Sequence, residues 1–248
     1  MEQPTYQFDV FLRYSRKDEE FGKRLEDALE TYTLPKAVQA RSISKKRLNV
    51  FRDKKDLVPS DSDYYKTIEG YLKRSQYLIV ICSPNARNSE YVNQEIKTYL
   101  QSHQANQLIA VLLSGKPNND MTARPEEYAF PQALCDAMAM PLAVEFTDFT
   151  RAPGKLNKGR FHDSWYTLLS KIFGTERAEI ERLDARRQAR RRAIFAAISL
   201  GVIALLSVAL VFAIISHKKG PGQIERTRGW GLCARVFAGW QNSLQRGD

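Results

Sequence analysis

A chain of 248 residues with 43% hydrophobic side chains is long enough for one ordinary domain and some further elements. Its formal net charge of +10 is uneven: residues 1–181 carry 26 Lys+Arg against 25 Asp+Glu, and residues 182–248 carry 12 against 3. The N-terminal body is therefore close to neutral, which argues against a basic nucleic-acid face on it. The cysteines, Cys82, Cys135 and Cys233, are odd in number and lack metal-ligand spacing, which fits a reducing compartment. The polar opening Met1–Gln7 lacks the pattern of a cleavable signal peptide.

Phe8–Tyr14 reads as a first strand. Ser15 can cap the helix that follows, whose first turn holds Asp18, Glu19 and Glu20. Phe21, Leu25, Ala28, Leu29 and Tyr32 give that helix one apolar face, and Pro35 is its expected stop. A basic, solvated loop over Arg41–Arg47 leads to a short second strand, Leu48–Phe51. Arg52–Asp61 reads as a polar loop, with Ser60 or Asp61 capping a helix that carries Tyr64, Ile68, Tyr71 and Leu72.

The run Tyr77–Cys82 is unbroken, apolar and rich in branched residues, as in a strand buried on both faces. A turn at Ser83-Pro84-Asn85 precedes a helix capped by Asn88 or Ser89. Val92, Ile96, Tyr99 and Leu100 of that helix face the sheet, and Asn88, Tyr91 and Glu95 form a second stripe beside them. Leu108–Leu113 is a fourth buried strand, residues 114–140 are loop-rich, and Leu142–Phe146 is a short fifth strand. Phe161, Trp165, Leu168, Leu169 and Ile172 mark a last amphipathic helix. Alternating strands and helices at this spacing imply an α/β fold: a five-stranded parallel sheet with helices on both faces.

Composition changes after residue 174. Residues 175–192 form a charged helix or linker ending in Arg186, Arg187, Arg190, Arg191 and Arg192. Residues 193–216 run without a charge and would span about 36 Å as a helix, enough for a bilayer core of about 30 Å. The Arg cluster before this transmembrane helix outweighs His217, Lys218 and Lys219 after it, so the body should face the cytoplasm and the arginines can meet anionic headgroups. Residues 217–248 read as a short basic tail, disordered or interfacial.

Three places in residues 1–174 resemble the boxes of a Toll/interleukin-1 receptor (TIR) domain of the bacterial type. Phe8-Asp9-Val10-Phe11-Leu12-Arg13-Tyr14-Ser15 is similar to the first box, although an aliphatic residue or Ser often stands at the position of Arg13. Arg52-Asp53 with Leu57 and Pro59 resembles the second, with Ser60 where the family commonly has Gly. Ser83-Pro84 followed by Ser89, Tyr91, Val92, Glu95 and Ile96 resembles the third. The resemblance implies a flavodoxin-like TIR domain ahead of one membrane helix, in the bacterial inner membrane with its TIR domain in the cytoplasm.

Catalytic members of the family cleave the nicotinamide–ribose bond of NAD+. The resemblance makes Glu95 the catalytic carboxylate, with Tyr91 standing where the family usually has Trp. Tyr14, Ser15, Arg16 and the loop residues Asp53, Asp56 and Leu57 would border the substrate, Arg16 meeting a phosphate. NAD+ is then a substrate and no cofactor is implied. The chemistry suits these residue types: nicotinamide leaves as a neutral ring, the ribose becomes a cation, a carboxylate stabilises it and an aromatic stacks on a flat ring. Water as nucleophile gives a linear product, and the adenine of the same molecule gives a cyclic one. His103, His162 and His217 are scattered and suggest no metal site. Self-association of TIR domains is the implied trigger, in defence or stress signalling. Two other readings stand beside the enzyme: an adaptor acting by TIR–TIR assembly, and an effector whose clustering disturbs the bilayer.

Overall fold

In the computed structural model, which describes residues 6–39, 47–52 and 62–218, five parallel strands form one sheet. These are β1 (Phe8–Arg13), β2 (Val50–Arg52), β3 (Ser75–Cys82), β4 (Leu108–Leu112) and β5 (Val144–Glu145), in the spatial order β2-β1-β3-β4-β5. Phe11 pairs with Leu78 and Leu78 with Leu108, so β3 is flanked on both sides. That position explains its uninterrupted apolar run: Leu78 to Cys82 are all fully buried.

The helices are α1 (Glu19–Thr31), α2 (Lys36–Gln39), α3 (Ser62–Lys73), α4 (Pro84–Arg87), α5 (Glu90–Leu100), α6 (Gln132–Ala137), α7 (His162–Phe173) and α8 (Arg177–Lys218). The two-residue alternation of the strands sorts the core into two layers. Val10, Leu12, Ile79, Ile81, Ile109 and Val111 face α1 and α7, where Phe21, Leu25, Leu29, Trp165, Leu169 and Ile172 meet them. Phe11, Leu78, Val80, Cys82, Ala110 and Leu112 face α3, α5 and α6, against Ile68, Leu72, Val92, Ile96, Tyr99 and Leu134. Full burial of one such aliphatic side chain contributes about 1.5–3 kcal/mol, so each layer holds the sheet from its own side.

Several local expectations change. Pro35 does not stop the first helix: α1 ends at Thr31, Tyr32 turns extended, and the Pro35 carbonyl instead accepts from Val38 N at 2.9 Å to open α2. A single 3-10 turn, Arg16–Asp18, stands between β1 and α1, and Ser15 makes no side-chain cap there. The segment expected to be loop-rich contains α6, which packs on the α5 layer through Ala133 and Leu134. β5 is only two residues long, and Leu142, expected within it, is 77% exposed. Most of the basic loop, residues 40–46, and the expected caps Ser60 and Asp61 lie outside the described residues, as does the tail from residue 219.

The described residues divide into two units between Gln188 and Ala189. The first takes in the start of α8: Ile180 is fully buried, Asp184 is buried, and Arg187 Nη1 donates to the Thr33 carbonyl at 2.7 Å. In the second, α8 continues through the apolar run, with Ile194 to Ile215 exposed along its length. Its most apolar window has a mean hydropathy of 2.9 and no buried residue, so the helix is long and apolar enough to cross a membrane.

Candidate functional site

The strand order reverses between β1 and β3, because the chain leaves β1 toward α1 on one face and β3 toward α5 on the other. Side chains at the carboxyl ends of such neighbours line a crevice that no connection fills. Here the two exits are tied together. Ser83 Oγ donates to Asp18 Oδ2 at 2.5 Å and accepts from Ala86 N at 3.0 Å, capping α4 with Pro84 in its first turn. Burial pushes the Asp18 carboxyl above its ordinary range, against hydrogen bonds to Ser83 and Asn85 that pull it down. After β4, Gly115 sits at φ +80°, and a Cβ there would lie 2.5 Å from the Glu127 carbonyl and 3.0 Å from the Pro84 ring. Only glycine fits so close an approach.

α5 begins at Ser89, whose Oγ accepts from Val92 N at 3.4 Å; Asn88 ends α4 instead. Val92, Ile96 and Tyr99 are fully buried against the sheet. Glu95 lies at the margin of that seam, where helical spacing alone suggests a half-exposed flank, yet it is only 5% exposed. The reason is Arg13, the last residue of β1, whose Nε stands 3.0 Å from Glu95 Oε2. The Glu95 side chain is buried and that of Arg13 is 11% exposed. A guanidinium beside a buried carboxylate offsets part of the cost of taking that charge out of water.

Glu95 and Tyr91, one turn earlier and 43% exposed, line a groove of about 880 Å³ between α3 and α5, with Ile68, Leu72 and Thr98. Tyr14 is not part of it. Strand alternation sends its ring to the opposite face, against α1, where a Cβ on Gly22 would stand 2.9 Å from it. The Tyr14 hydroxyl accepts from Arg52 Nη1 at 2.9 Å, and Arg52 is ion-paired with Glu26 and Glu19 of α1. Ser15, half-buried, and Arg16, exposed, stand at the β1 exit, where the Ser15 carbonyl accepts from Asp18 N at 2.7 Å. Asp53, Asp56 and Leu57 lie outside the described residues.

The structure thus joins Glu95 and Tyr91 in one groove, keeps Ser15 and Arg16 at the switch point and turns Tyr14 away. Arg13, Asp18 and Ser83 also stand at these strand exits, Arg13 joined to Glu95 and Asp18 to Ser83 by contacts that no local pattern announces. A charged residue closing a buried strand was the available signal for Arg13. For Ser83 it was the Ser-Pro pair, a capping residue followed by the residue preferred at the first helical position. Elsewhere, His162, Asp163 and Glu181 cluster, but Arg177 already holds Asp163 at 2.5 Å and Glu181 at 2.8 Å. Burial pushes the Cys82 thiol far up, so it behaves as a core side chain.

The TIR domain profile matches residues 10–133, from β1 into α6. The NAD(+) hydrolase ApTIR of Actinoplanes sp. (strain ATCC 31044 / CBS 674.73 / SE50/110) is 26% identical over 186 residues, covering 73% of this chain. The chain spans about a quarter, 26%, of that protein's length. Among solved structures, the TIR domain of the Toll-related receptor TRR-2 from Hydra magnipapillata is 18% identical with a TM-score of 0.41, covering 67% of this chain and 98% of that one. The TIR domains of the activated Roq1 resistosome are 20% identical with a TM-score of 0.35, covering 68% and 86%.

Proposed function

This chain belongs to the TIR domain family, and from that premise we propose that its sheet domain cleaves the nicotinamide–ribose bond of NAD+ when the domains self-associate. The observation that carries the reading is the placement of Glu95 and Tyr91 in one groove, with Arg13 behind the carboxylate. The related NAD(+) hydrolase supports it. In the reaction the glycosidic C–N bond breaks, its electron pair returns to the nicotinamide ring, and the ribose carries positive charge. Glu95 as an anion stabilises that charge, and Tyr91 offers a flat face to a ring. Water then attacks the ribose and releases a proton, giving ADP-ribose; attack by the adenine of the same molecule gives the cyclic product. Ser15 and Arg16 stand at the exit of β1, where a phosphate would meet the guanidinium.

In this reading the exposed apolar stretch of α8 anchors the domain in a bilayer, and the arginines that precede it favour the cytoplasmic side for the domain. Clustering on that surface would raise the local concentration and so favour self-association.

One observation favours a second reading. Glu95 is buried and already neutralised by Arg13, which suits an adaptor that assembles through TIR–TIR contacts and does no chemistry. The test is nicotinamide release by the full chain reconstituted in vesicles, beside Glu95→Ala and Glu95→Gln. Release abolished by both substitutions establishes the enzyme. Release unchanged in them removes Glu95 from its role. A folded, clustered chain without release leaves the adaptor.

A further inference from the structure

β1 ends on an arginine whose backbone is fixed by the sheet, with Arg13 in register with Val80 of β3. Its side chain follows Phe11 onto the face covered by α3 and α5 and reaches Glu95 of α5 at 3.0 Å, 82 positions later in the chain. We propose that Arg13 is the positioning residue of the NAD+-cleaving site: its guanidinium keeps the Glu95 carboxylate ionised and fixes it at the β1 end of the α3–α5 groove. The proposal rests on the reading of Glu95 as the group that stabilises the ribosyl cation.

The argument is one of charge in a low-dielectric place. Glu95 is 5% exposed, and a carboxyl so buried takes up a proton once its counter-charge is removed. A neutral carboxylic acid does not stabilise a developing cation, so the charge on Glu95 at neutral pH is a requirement of the chemistry. Among the described residues, the other charged groups that line the groove are engaged elsewhere or solvated. Glu69 on α3 pairs with Lys73 at 2.6 Å, and Arg87 on α4 binds the Pro125 carbonyl and lies 5.2 Å over the Tyr128 ring. Glu90 and Lys97 on α5 are exposed, as is the phenol-bearing Tyr91. Among the described residues Arg13 is therefore the cation that stands against Glu95, with 3.0 Å from its Nε to Oε2.

The test uses the full chain in nanodiscs with Arg13→Gln, Arg13→Lys, Glu95→Gln and the Arg13→Gln/Glu95→Gln pair. Two readouts are taken: the thermal midpoint at about pH 5 and about pH 8, and the pH profile of nicotinamide release. Arg13→Gln is expected to lower the midpoint more at the higher pH, where an unpaired Glu95 would have to hold its charge, and adding Glu95→Gln should restore it. The acid limb of nicotinamide release by Arg13→Gln should move up by about one unit, so that release falls about tenfold at pH values below both limbs. Arg13→Lys should keep the parental limb. The proposal is overturned if Arg13→Gln keeps the parental profile without rescue by Glu95→Gln, or if it raises release at every pH, which would make the pair a restraint. Release that survives in Glu95→Gln, or a parent with no release, overturns the reading of Glu95 instead. The midpoint cycle then still decides whether Arg13 holds that carboxylate ionised.

Discussion

The Tyr32 hydroxyl donates to the Asp184 carboxylate at 2.9 Å, joining the end of α1 to the start of α8. Tyr166 of α7 donates to the same oxygen at 3.1 Å, and Ile180 is buried one turn earlier. Burial and the neighbouring carboxylate push both phenols well above their ordinary range, so they remain donors at any physiological pH. The first turns of α8 are thus part of the domain, and the charged segment expected as a helix or linker is a helix with a buried seam. Asp184→Ala leaves two phenols without their acceptor and should cost about 2–3 kcal/mol, lowering the thermal midpoint by roughly 5–10 °C. Asp184→Asn keeps an acceptor and should cost less. Near-UV circular dichroism of the full chain in detergent measures both.

Asp18 gives a pH prediction with a definite sign. Its folded-state pKa is raised above the ordinary 3.8 by burial. The folded chain therefore binds that proton more tightly than the unfolded one, so the associated stability is present below the ordinary pKa and is lost as pH rises through the folded value. Asp18→Asn removes this loss and keeps an oxygen to accept from Ser83. The variant should match the parent in strong acid and exceed it in midpoint near neutral pH. A difference that shrinks as pH rises would show that the hydrogen bonds to Ser83 and Asn85 outweigh burial.

Tyr91 separates binding from packing. At 43% exposure its removal should change stability by no more than about 0.5 kcal/mol. If the ring stacks on substrate, Tyr91→Ala should raise KM for NAD+ roughly two- to tenfold, in line with the 0.5–1.5 kcal/mol typical of an aromatic contact, and Tyr91→Trp should retain the parental value. A fall in midpoint with KM unchanged would make Tyr91 a packing residue.

The apolar stretch of α8 has its own test. Leu205 lies near its middle and is 73% exposed. An arginine at the centre of a membrane helix costs about 2.5–3.5 kcal/mol on insertion scales. The parent should stay with the membrane pellet after alkaline carbonate extraction, and Leu205→Arg should shift a measurable share to the supernatant. A parent that is extracted outright would remove the anchor.

Much of the fold was legible because its signals are local. The run Tyr77–Cys82 announces a central strand, since only a strand covered on both faces tolerates such uniform apolarity. The face Val92, Ile96, Tyr99 is legible for the same reason: helical spacing puts those residues together whatever lies opposite. Short elements escaped. α6 has six residues and starts behind Pro131, too brief for a periodic signal amid proline-rich chain. The role of Pro35 is not legible locally, because a proline that cannot continue one helix is equally suited to open the next.

The chain's own periodicities therefore determined the type and order of its long elements, the helix that carries Glu95, and the 24 uncharged residues near its end. These are properties of neighbours in sequence, and hydrophobic spacing reports them directly. Only the tertiary structure decided which face of β1 each side chain takes in the assembled sheet, and so which partners Arg13 and Tyr14 acquire. It alone decided that Glu95 is buried against a guanidinium and that Asp18 meets Ser83 across two strand exits. Charge and burial at such a site depend on groups 65 or 82 positions away, brought within 3 Å by parallel pairing whose register no local pattern encodes.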